Sequence, residues 1–111
     1  CDITDYDKVS AAANKIIKEF KRVDNLITAA GYGSKAPIDK MDISEWQKAI
    51  DINLNGTVYI IHALIGQMIS QGKANIIIIG SATVLTGSGG GVHGEPVTGG
   101  SLSTPGGAGA Q

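Results

Sequence analysis

Along residues 4–20, "TDYDKVSAAANKIIKEF", apolar side chains return every three or four positions. Val9, Ala12, Ala13, Ile16, Ile17 and Phe20 fall on one stripe, while Lys15, Lys18, Glu19, Lys21 and Arg22 populate the other face. This period predicts an amphipathic helix with its charged face in water. Thr4, followed three residues later by Asp7, predicts a capping box at its start. "DNLITAAG" (24–31) is a short apolar run halted by glycine, as in a buried strand of a parallel sheet. Gly33 and Pro37 then break any regular pattern, and "YGSKAPIDKMD" reads as a loop. A second capping box, Ser44 with Gln47, opens a longer helical pattern through Trp46, Ile50, Leu54, Val58, Ile61, Leu64 or Ile65, and Met68. It stops at Gly72, which predicts one helix over 44–71, about 40 Å long. "ANIIIIGS" (74–81) has no polar alternation, so both faces of that strand are expected to be covered.

Helix, strand, helix, strand is the alternation of a parallel α/β sheet with right-handed crossovers. Two strands alone leave bare edges, and the start at Cys1 rather than Met fits a piece of something longer. Beyond about Thr86 the chain is rich in Gly, Ser and Thr, and Glu95 is its one charged side chain. That composition predicts a disordered tail over 93–111, after an ordered region over 1–92.

Composition narrows the function classes. Nine basic and ten acidic residues are well mixed, without the clustered Lys and Arg of a nucleic-acid surface. No apolar run approaches the roughly 18 residues that span a bilayer. The lone Cys1 has no internal disulfide partner, so a reducing cytoplasm is the expected compartment. His62 and His93 stand too far apart, without helical pairing, to form a metal site; His62 reads as a surface or interface residue. Trp46 and Met68 read as core.

Four segments in register give the chain a resemblance to the short-chain dehydrogenase/reductases. "CDITD" resembles the family's third strand end, "VDNLITAAG" its fourth strand, "EWQKAIDINLNG" its fourth helix, and "NIIIIGS" its fifth strand. The resemblance covers residues 1 to about 92. It implies a Rossmann-type three-layer α/β fold, here partial, and NAD- or NADP-dependent hydride transfer between small-molecule carbonyls and alcohols. It further implies that Asp2 hydrogen-bonds the adenine, that Ile3, Ala29, Ala30 and Gly31 also bind the cofactor, and that Asn53 and Ser81 are catalytic. Relatives often dimerise through the long helix, so a homo-oligomer through 44–71 is expected.

The departures matter as much. In the family's common spacing a Tyr and a Lys stand thirteen and seventeen residues after the Ser; this chain has Gly94 and Thr98 there. A phenol with an intrinsic pKa of about 10 needs a nearby cation to act as a base at neutral pH, so neither replacement serves. Tyr6, Tyr32 and Tyr59 are followed four residues later by Ser10, Ala36 and Ala63, so no other Tyr-x-x-x-Lys occurs. Thr28, Ala29 and Ala30 stand where the family has Asn-Asn-Ala, which removes an amide from the strand end. The family's phosphate-cradling turn lies upstream of residue 1, and "GSGGG" at 87–91 lacks the following helix that phosphate binding needs. The expectation is therefore an inactive piece of an oxidoreductase. A catalytically dead relative that binds or dimerises through its long helix is the alternative, and an out-of-frame junction near residue 92 would account for the tail.

Overall fold

The computed structural model describes residues 1–81 and residue 85. The expected tail at 93–111, together with the 87–91 glycines, His93, Gly94 and Thr98, lies outside the described residues. The chain forms two compact units. One comprises Cys1–Ala30 and Asp51–Ile79; the other includes Gly31–Ile50 and, among the later described residues, Gly80 and Ser81.

In the first unit, helix α1 (Tyr6–Phe20) leads to strand β1 (Asn25–Thr28), and helix α3 (Gly56–Gln71) leads to strand β2 (Asn75–Ile78). The two strands pair in parallel, with Asn25 opposite Asn75 and Thr28 opposite Ile78. The Ile79 amide extends the ladder by donating to the Thr28 carbonyl at 2.9 Å. Ala13, Leu26, Leu64 and Met68 form the core, so α1 and α3 share the sheet face that carries Leu26. Helix–strand alternation and the parallel sheet agree with the predicted α/β class.

Several local expectations change. Asp5, not Thr4, caps α1, its carboxylate accepting from the Lys8 amide at 3.2 Å. The α1 stripe is buried only at Val9 and Ala13, while Ile16 and Phe20 are exposed. Lys21 ends the helix in the left-handed region (φ 61°), a position sequence would assign to glycine. Gly72 does end α3 as predicted, at φ 81°. The four isoleucines at 76–79 are all exposed rather than covered: Ile77 and Ile79 lie on the sheet face opposite Leu26, and Ile76 and Ile78, on the Leu26 side, are left uncovered by α1 and α3.

In the second unit the chain passes through a 3₁₀ turn (Ile38–Lys40) and helix α2 (Ile43–Ile50). The amides of Glu45 and Trp46 donate to the Asp42 carbonyl, so Ser44 lies inside the first turn rather than at the cap. Trp46 is exposed rather than core, whereas Ala49 is fully buried. The single helix expected over 44–71 is interrupted by a π turn, Asp51–Asn55, directly before α3.

Candidate functional site

In a parallel sheet, strand ends and the helix starts that follow them gather at one edge, where ligands of α/β folds bind. Five of the predicted site residues belong to the first unit. Ala29 and Ala30 follow the end of β1 and are exposed, small side chains that leave room beside the backbone. Asn53 occupies the middle of the π turn, half-buried, and its carbonyl accepts the Thr57 hydroxyl at 2.9 Å. A π turn spaces backbone amides and carbonyls differently from an α-helix and is frequent at functional sites. Asn55 donates to Asp51 Oδ1 at 3.0 Å, which braces the same turn. Asp2 and Ile3 precede α1, and Ile3 lies against Gly56, the first residue of α3.

Asp2 is held in a set orientation. The Thr4 amide donates to its Oδ1 at 2.9 Å and the Thr4 hydroxyl to the same atom at 2.7 Å. The Thr4 hydroxyl first, then its amide, holds the Asp2 carboxyl below the usual carboxylate range. At neutral pH this group is therefore an ionised, exposed acceptor, suited to a donor such as the exocyclic amine of adenine. Sequence reasoning gave Thr4 to the helix cap and missed this role. The signal was the Asp-x-Thr spacing, because a short carboxylate bonds backbone and hydroxyl donors two residues on.

Gly31 and Ser81 belong to the second unit. Gly31 is exposed and is followed by Tyr32, whose hydroxyl donates to Glu45 Oε2 on α2. The Lys48 ammonium sits 4.3 Å from the centre of the same ring, a cation–π contact. The Glu45 carboxylate raises the Tyr32 pKa, so this phenol stays protonated at neutral pH and does not act as a base. Ser81 is exposed, three residues past the end of β2. The family's Tyr and Lys positions, Gly94 and Thr98, lie outside the described residues.

These residues suit the adenine end of a dinucleotide but not its diphosphate. After β1 the next helical turn begins only at Ile38, so no helix N-terminus follows the strand closely enough to receive phosphates. Among the described residues no group of His, Cys, Asp and Glu could hold a metal ion. None of their helices is long and apolar enough to cross a membrane. His62, on α3, is exposed, with its Nδ1 2.7 Å from the Tyr6 hydroxyl. A shallow groove lined by Met68, Ile69, Gly72, Lys73 and Ile76 lies at the opposite end of α3 from Asn53 and shares none of these groups.

Comparison with known proteins gives a consistent result. A family model described as "short chain dehydrogenase" matches residues 1–93. The chain is 33% identical to D-threitol dehydrogenase of Mycolicibacterium smegmatis over 73% of its own length and 31% of that protein's. Among solved structures, ElxO with NADP bound superposes with a TM-score of 0.75 at 29% identity, over 79% of this chain and 36% of that one. NAD+-bound xylitol dehydrogenase gives 0.75 at 27% identity, over 79% and 34%. The chain thus spans about a third of the length of the relatives it matches.

Proposed function

Because the chain belongs to the short-chain dehydrogenase/reductase family, we propose that it supplies part of an NAD(P)-dependent site interconverting small-molecule carbonyls and alcohols, and that the 111 residues alone do not turn over. The observation that carries this reading is the π turn at Asn53, a helix interrupted where the family places a catalytic amide. The NADP and NAD+ bound in two matched structures support the cofactor class. When bound, the nicotinamide supplies or accepts the hydride. The chain's own residues do the rest of the work assigned here. Asp2 accepts from the adenine amine, and Ile3 lies beside it. Ala29, Ala30 and Gly31 leave space along the strand end. Asn53 holds a water in a proton relay. Ser81 donates a hydrogen bond to the substrate oxygen and orients it. Proton transfer to that oxygen then needs a phenol tuned by a cation, and Gly94 and Thr98 provide neither. The free, exposed Cys1 thiol suits a reducing cytoplasm.

The test uses the purified chain with NADH or NADPH and a panel of ketones and alcohols. We expect no change in nicotinamide absorbance and no saturable shift of NADH fluorescence at micromolar cofactor. Turnover, or saturable binding there, would overturn the inactive assignment. Sequencing the flanking DNA tests the oxidoreductase assignment. It predicts an upstream Gly-x-x-x-Gly-x-Gly after a strand and a Tyr-x-x-x-Lys in another reading frame.

A second reading, a binding or dimerising module acting through the long helical region, is favoured by one surface. Leu54, Val58 and Ile69 are exposed at helical spacing, with Ile61 and Ile65 half-buried between them. A concentration-dependent dimer, with neither motif in the flanking DNA, would select it.

A further inference from the structure

Gly56 opens α3 immediately after the π turn, and the space a side chain would take is occupied by Ile3. A Cβ at Gly56 would stand 2.7 Å from Ile3 Cδ1, 2.8 Å from Cγ1 and 3.3 Å from the Ile3 carbonyl oxygen. Gly66, Gly72 and Gly80 show no such crowding. The two side-chain atoms could be moved by rotating Ile3. The carbonyl oxygen is different, because it belongs to the planar Ile3–Thr4 peptide. The other end of that peptide is the Thr4 N–H, which donates to Asp2 Oδ1 at 2.9 Å. Pressure on the oxygen therefore tilts the unit that holds the Asp2 carboxylate, and a hydrogen bond tolerates only a few tenths of an ångström of such displacement.

We propose that Gly56 is a positioning residue for the adenine-binding segment: by letting Ile3 seat on the first turn of α3, it fixes where Asp2 presents its carboxylate. This rests on the assignment of Asp2 to adenine made under Proposed function. Gly56 touches no cofactor itself; it acts through Ile3 and the Ile3–Thr4 peptide. A purely helical role predicts the opposite outcome, since alanine is a better helix former than glycine.

The experiment titrates the isotopically labelled 111-residue chain with millimolar AMP, following the amides of Asp2, Ile3 and Thr4, and separately titrates the Asp2 carboxyl. In the unaltered chain the three amides shift saturably. In Gly56→Ala the affinity falls about tenfold, equivalent to roughly 1.4 kcal/mol, and the Asp2 pKa rises towards its ordinary value as the Thr4 bond weakens. In the unaltered chain the Gly56 Hα protons show nuclear Overhauser contacts to the Ile3 methyl groups, as their close approach requires. Those contacts carry the test if Gly56→Ala does not fold. An unaltered chain whose segment ignores AMP overturns the adenine assignment, and with it this proposal. A chain that responds normally, but whose Gly56→Ala variant matches it in affinity and in Asp2 titration, overturns the positioning role alone. Absence of the Gly56–Ile3 contacts in the unaltered chain overturns it too.

Discussion

The Thr28 hydroxyl is buried with no hydrogen-bond partner, at the residue where β1 ends and the family's amide-bearing motif would begin. An unsatisfied buried polar group costs about 1–3 kcal/mol, while its methyl-bearing isostere carries no such cost. Thr28→Val is therefore expected to leave the fold intact and raise stability by up to about 1 kcal/mol, read as a higher midpoint in thermal or urea unfolding. A lower midpoint would mean that the hydroxyl has a stabilising partner, such as ordered water. Residues of this kind mark the limit of reading the site from sequence. Asp2 and Asn53 are assigned by resemblance because their motifs are local. Thr4 was within reach, two residues from its partner. The contact between Ile3 and Gly56 joins positions far apart in the chain, and no periodicity encodes a missing Cβ.

Between elements, a two-bond polar tie joins the end of α3 to the turn before β1. The Gln71 side chain accepts from the Val23 amide at 2.7 Å and donates to the Val23 carbonyl at 2.9 Å, meeting one backbone residue as a neighbouring strand would. Gln67 supports it, donating to Gln71 Oε1 at 3.0 Å and to the Lys21 carbonyl at 3.2 Å. Two part-buried bonds at about 1 kcal/mol each predict that Gln71→Ala destabilises by about 2 kcal/mol, and Gln67→Ala by less. Amide exchange at Val23 should accelerate in the first variant and barely change in the second; equal acceleration would show that the pair acts as one network. None of this is visible in a hydrophobic pattern, which treats both glutamines as solvent-facing. The π turn escapes for the opposite reason. Ile50, Leu54, Val58 and Ile61 keep a spacing of three or four straight through it, so an inserted residue leaves the apolar period looking unbroken. The end of α3 was legible because Gly72 is the residue a left-handed cap prefers, whereas α1 ends at Lys21, which pays for that conformation without advertising it.

At the scale of the molecule, two apolar surfaces exposed among the described residues compete to govern association. One is the open sheet face, where Ile27 and Ile77 are register partners and both exposed, with Ile79 also exposed beyond the ladder. The other is the helical stripe of Leu54, Val58 and Ile69. Among the described residues the sheet has two strands, and an apolar strand with an unpaired edge is a template for further pairing. The sheet surface is therefore expected to drive open-ended association, and the helical stripe a closed dimer at most. Ile77→Thr keeps the β-branched shape a strand favours while placing a hydroxyl on the exposed face, so it should suppress large species in sedimentation without lowering the thermal midpoint. Val58→Lys should instead abolish any discrete dimer and leave larger species untouched. If Ile77→Thr changes nothing and Val58→Lys removes all association, the helix is the operative surface. The reverse result means that the sheet face is the one needing cover, as the absence of polar alternation along 76–79 leads one to expect of a strand built to be buried on both sides.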